Sequence, residues 1–166
     1  MHISDLMPKN GLYDSHCHLI FREYPIPVEE IVVQAKAHNL STLLNVSTDL
    51  ETSSQVHNLY VENAKYIKSF IGIDPQEVIP NPEHFMGLDL KDSDFEDMNN
   101  KLVEILENQR ESIIGIGETG MDFYWTKELD KETEEKSKEL QNKLFLMHIN
   151  IAEQYQLPLT IHSRGA

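Results

Sequence analysis

Short apolar runs alternate with longer amphipathic stretches along this chain, and no other feature constrains its fold as much. Residues 11–19, 41–46, 66–73, 112–118 and 157–162 read as strands. Residues 28–38, 51–64, 94–108 and 138–155 read as helices between them. Phe95, Met98, Leu102, Ile105 and Leu106 recur at three- and four-residue steps, and so do Leu140, Leu144, Met147, Ile151 and Tyr155. Pro158 lies just past the end of the last helix. A strand followed by a helix is regained by a right-handed crossover, so the strands should run parallel with helices packed outside them. The expectation is an α/β domain of five strands and four helices, without an internal repeat or linker. Residues 75–94, with Pro80, Pro82 and Gly87, are the longest irregular piece and read as an insertion placed to cover a site.

The hydrophobic fraction of 40% and charged fraction of 25% are those of a globular chain, and 166 residues suffice for one domain spanning 1–166. No run approaches the ~20 apolar residues of a spanning helix, and the first twenty residues lack a basic start with an apolar core. A cytoplasmic protein with no membrane partner is expected. The single cysteine, Cys17, cannot form an internal disulfide, which agrees with a reducing compartment. With 28 acidic against 14 basic side chains the net charge is -14, which argues against nucleic acid held along an extended phosphate track. A local contact remains open, because bound divalent ions reverse the field in a small pocket. The acidic stretches 89–97 and 128–139 read as a solvated loop and helix face.

Three strings place imidazoles or carboxylates at the ends of strand-like runs: Asp14-Ser15-His16-Cys17-His18-Leu19, Gly115-Ile116-Gly117-Glu118-Thr119-Gly120-Met121-Asp122, and Ile161-His162-Ser163-Arg164. Side chains two apart on a strand share a face, so His16 and His18 can grip one ion while Cys17 faces away. The same parity sets Asp14 beside the histidines, Ile114 and Ile116 with Glu118, and Thr160 with His162. Parallel α/β folds gather ligands at strand carboxyl ends, where His16, His18, Glu118 and His162 all lie. Imidazole and carboxylate hold divalent ions of the zinc, manganese or iron type, and such a site can activate water for hydrolysis. The other histidines, His2, His38, His57, His84 and His148, have no companion at ligand spacing and read as surface or half-buried residues. Gly115 and Gly117 read as outward positions under a helix, and Gly120 as a sharp turn. Tyr124 and Trp125 either stack on bases at the mouth of the site or pack their own loop. Arg164 either binds a phosphate or carboxylate or is an exposed arginine with no role.

On these three strings the chain resembles the TatD family of metal-dependent hydrolases, which are similar to amidohydrolases and usually described as deoxyribonucleases. Asn45-Val46-Ser47-Thr48-Asp49 and Leu157-Pro158-Leu159-Thr160 agree with it too. The resemblance implies a TIM (β/α)8 barrel, of which this chain supplies the N-terminal portion, about five βα units. It implies two divalent ions (Mg, Mn or Zn), with His16 and His18 on one, Glu118 bridging both as the catalytic carboxylate, and His162 on the second. The implied substrate is DNA or a small phosphodiester. The chain departs from the family after the third strand, where Ile73-Asp74-Pro75-Gln76 stands in place of a His-Pro-His type sequence. Family members also continue for about another hundred residues, as a ~250-residue barrel requires, and supply a further histidine and aspartate. The expectation is therefore a barrel left incomplete, in a truncated product or a split enzyme. Its open sheet edges would self-associate or take a complementary C-terminal chain. The rival readings are a non-catalytic remnant and a metallohydrolase of ester or amide bonds.

Overall fold

The structure, a computed structural model, describes residues 11–20, 26–63, 66–80 and 86–166. Its strands are β1 (Leu12–Cys17), β2 (Leu40–Val46), β3 (Ile67–Ile71), β4 (Ile113–Asp122) and β5 (Leu159–Arg164). All neighbours pair in parallel, in the order β1-β2-β3-β4-β5. Each strand lies beside its predecessor, which is how consecutive βα units build a TIM barrel, and the five described strands form a curled half-barrel of that kind.

The helices are α1 (Val28–Ala37), α2 (Leu50–Ser54), α3 (Val56–Glu62), α4 (Asp92–Asn108) and α5 (Lys131–Tyr155). The periodic residues point where their spacing sends them. Phe95, Met98, Leu102 and Leu106 of α4 meet Leu140, Leu144, Met147 and Ile151 of α5 over Ile71, Ile113 and Ile116 of the sheet. A second cluster packs Val32, Ala35 and Leu59 on Leu43 and Ile67, with Cys17 at its edge. Cys17 thus faces the helices, opposite His16 and His18, as parity requires. Burial pushes its thiol up to about 12, so it stays protonated.

Local differences from the sequence reading have identifiable causes, one across the fold and one within the chain's own next turn. The helix expected over 51–64 breaks at Gln55, where the Gln109 side chain donates to the Ser54 carbonyl and accepts from the His57 amide. That side chain satisfies the backbone groups the break exposes, so two helices, α2 and α3, stand where one was expected. Residues 64 and 65, at the end of that stretch, lie outside the described residues. Helix α5 begins seven residues before the expected start, because the Asp130 carboxylate accepts from the Glu132 and Thr133 amides and caps it. The irregular stretch 75–94 opens with a 3-10 turn at Pro75–Val78 and gives way to α4 at Asp92. Its residues 81–85, with Pro82 and His84, lie outside the described residues, as does His2.

Strand β4 carries two register irregularities, one against β3 and one between Ile116 and Thr119 against β5. They overturn the parity expected there. Ile116 joins the helix-side core, whereas Glu118 faces the other way. The glycines make room for strands, not helices. A Cβ on Gly115 would strike the Phe70 ring and one on Gly117 would strike Thr160. Gly120 is no turn but lies inside β4 with φ +134°, where a Cβ would stand 2.1 Å from the His162 carbonyl oxygen.

Candidate metal centre

The four expected ligands converge at the carboxyl ends of β1, β4 and β5, around one carboxylate. Glu118 Oε2 lies 3.6 Å from His16 Nε2 and 3.5 Å from His18 Nε2, and its Oε1 lies 2.9 Å from His162 Nδ1. The His16 and His18 rings meet edge to face with centroids 5.1 Å apart. Backbone contacts fix these positions. The Glu118 amide donates to the Ser47 carbonyl, and the Leu19 amide donates to the buried side chain of Asn45, which holds the chain directly after His18.

Protonation geometry suits metal binding. His18 Nδ1–H donates to the Val46 carbonyl at 2.8 Å, so its Nε2 lone pair faces Glu118. His16 Nδ1 sits 3.4 Å from the Thr160 hydroxyl, and its Nε2 likewise faces the carboxylate. Burial alone would raise the Glu118 pKa. The hydrogen bond from His162 and the charges of His16, His162 and His18 outweigh it and hold the carboxyl below its ordinary value. The hydrogen bond to Glu118 lifts His162 to about 9 despite its partial burial, with Asp74 and Asp122 adding to the effect.

The sequence reading overlooked two carboxylates. Asp122, with no exposed surface, accepts from His162 Nε2–H at 3.0 Å through Oδ2, leaving Nδ1 toward Glu118. Its Oδ1 accepts from the amides of Tyr124 and Trp125. Asp122 follows Glu118 by four residues on the same strand, and that spacing was the available signal. Asp74 follows β3, in the segment where the family pattern fails. Its pKa is raised to about 6, by burial first and then by the neighbouring Glu118 charge. A donor atom of Asp74 lies within 4.8 Å of donor atoms of Glu118 and His162, and His16, His18 and Glu118 form a second such group. Two donor sets thus share Glu118.

His148 was expected at or near the surface, yet it is fully buried. It accepts from the Ile73 amide at Nε2 and donates from Nδ1 to the Thr119 hydroxyl, which ties α5 to the ends of β3 and β4. Its place on the face of Leu144 and Ile151 was legible from helical spacing. His38 is exposed and His57 half-buried, as expected. Arg164, Tyr124 and Trp125 gather beside the site. Tyr124 and Trp125 are about half exposed and meet edge to face at 4.9 Å, with the Arg164 guanidinium 5.7 Å from the Tyr124 ring centre. Their link to the ligands runs through Asp122.

Residues 13–166 match the family model described as TatD related DNase. The chain belongs to the TatD family. It is 28% identical over 156 residues to deoxyribonuclease TATDN3 of Homo sapiens, covering 94% of this chain and 53% of that protein. It is 33% identical over 154 residues to an uncharacterized metal-dependent hydrolase of Mycoplasma genitalium, covering 93% and 51%. The crystal structure of YJJV, a TatD homolog from Escherichia coli, superposes with a TM-score of 0.67 at 21% identity, over 93% of this chain and 51% of that one. The chain spans about half the length of the TatD relatives it matches. Among the described residues, no helix is long and apolar enough to cross a membrane.

Proposed function

We propose that this chain carries the core of a two-cation centre for hydrolysing phosphodiester bonds of DNA. The convergence of His16, His18 and His162 on the Glu118 carboxylate carries this reading. His16 and His18 would hold one cation, His162 the other, and Glu118 both. Divalent ions bound there would lower the pKa of water and offset the charge of the phosphodiester. Which of Mg, Mn or Zn fills each position is left to titration.

The chain's own residues do the positioning. The Val46 carbonyl and Asp122 hold the far nitrogens of the His18 and His162 rings, so that His18 Nε2 and His162 Nδ1 face Glu118. Arg164 offers a planar, bidentate donor for a phosphate, at a rim where few positive charges compete with it in a chain of net charge -14. The exposed faces of Tyr124 and Trp125 suit stacking on unpaired bases, so a single-stranded end fits better than a duplex.

The test is release of nucleotides from short single-stranded DNA with and without added Mn(II), beside ester and amide substrates. Cleavage is expected to require the cation and to fall to background in His16→Ala and Glu118→Ala. Undiminished turnover in both variants would remove the site assignment. Turnover of the esters or amides alone would replace the substrate.

A further inference from the structure

We propose that Asp74 is a direct ligand of the second cation, together with Glu118 and His162, so that the two positions differ in chemical hardness. The inference rests on the two-cation reading above. Asp74, Glu118 and His162 present donor atoms within 4.8 Å of one another, the same closeness shown by His16, His18 and Glu118. The His16, His18 and Glu118 group offers two nitrogens and one oxygen, whereas the Asp74, Glu118 and His162 group offers one nitrogen and two oxygens.

Asp74 is held for this task. Its amide donates to the Thr48 carbonyl at 2.8 Å, and its Oδ1 accepts from the Gln76 amide at 2.7 Å, with Pro75 fixing the turn between. Behind it, the Ile73 amide is pinned by His148. The approach of β3 to β4 is equally tight: a Cβ on Gly72 would lie 2.6 Å from the Gly117 carbonyl carbon. The Asp74 carboxylate is thus delivered to one place by backbone contacts.

Charge supplies the second argument. Asp74, Glu118 and Asp122 are 6%, 5% and 0% exposed, and His162 stands among them. Three buried carboxylates thus crowd around one imidazole. Carboxylates taken from water side by side are costly unless a further positive charge faces them. A divalent ion between Asp74, Glu118 and His162 provides it. Oxygen-rich sets favour Mn(II) or Mg(II), whereas imidazole-rich sets suit Zn(II), so the two positions should fill differently.

The experiment titrates the metal-free chain with Mn(II) and with Zn(II), reading stoichiometry by calorimetry and bound Mn(II) by electron paramagnetic resonance. Wild type should take two ions. Asp74→Asn and Asp74→Ala should keep the first and weaken the second by at least the ~10–100-fold that loss of an orienting group alone costs. His16→Ala should do the converse. Asp74→His should shift the second position toward Zn(II) by about tenfold or more relative to Mn(II). Circular dichroism checks that every variant is folded, and the conservative Asn variant carries the test if Ala does not fold. Two ions bound as tightly in folded Asp74→Asn as in wild type would overturn the inference and leave the two-cation reading standing. No specific binding by wild type would remove both.

Discussion

Asp122 divides its oxygens between two jobs, orienting His162 through Oδ2 and capping the Tyr124–Trp125 turn through Oδ1. Asn at this position keeps the cap's acceptor but sets an amide donor against the imidazole N–H. Asp122→Asn should therefore leave far-UV circular dichroism unchanged and weaken the cation at His162 by ~10–100-fold in the same titration. Unchanged affinity would mean that the ring needs no such partner. The convergence of His16, His18, Glu118 and His162 was foreshadowed in the sequence because imidazoles and a carboxylate fall in or just after strand-like runs. Asp74 was not, because its approach to Glu118 is made by the packing of β3 on β4 at Gly72 and not by any spacing along the chain. The strand parity that correctly turned Cys17 away failed for Ile116, since the register irregularities of β4 reset which of its side chains share a face.

Helix α5 does more than cover the sheet. Gln141 accepts from the Asp122 amide and donates to the Asp122 carbonyl, while His148 joins Ile73 to Thr119, so one helix face braces the strand ends that present Asp74, Glu118 and Asp122. Burial depresses the His148 pKa from 6.5 to about 4, so the buried ring is neutral at neutral pH. The unfolded chain takes up that proton first. Stability is therefore full above about 6.5 and falls as pH drops toward 4, by at most on the order of 3 kcal/mol from this residue. Urea unfolding of wild type and His148→Gln across that range should show the wild type losing more stability on acidification. Parallel losses would show that His148 is not buried as a neutral ring. The apolar face of this helix was plain from its periodicity, but its first turns are polar and only the Asp130 cap marks its start. The break between α2 and α3 was invisible for a different reason, since Gln109 fills it from across the fold.

At the scale of the molecule, a sheet in sequential order puts His16 on β1 within reach of Thr160 on β5, so the site depends on the curl of all five strands. Parallel pairing was legible from the βα alternation, and the sequential order followed only from the family resemblance; the curl is in neither, because it arises from twist and register across every pair. Ile161 of β5 faces away from His162 and is 57% exposed. Cations that join β1 to β4, and β4 to β3 and β5, should act as staples in such a sheet. By linkage, an ion present at ~100 times its dissociation constant contributes ~2.7 kcal/mol, which for a chain of this size raises the melting temperature by about 5–10 °C per site. Adding Mn(II) to the metal-free chain should give that rise and chelation should reverse it. Sodium chloride at matched ionic strength separates this from general screening of a net charge of -14. Glu118→Ala should lose the rise almost completely, because both donor sets include that carboxylate. An equal rise in the variant would place the bound ions on the acidic exterior and not between the strands.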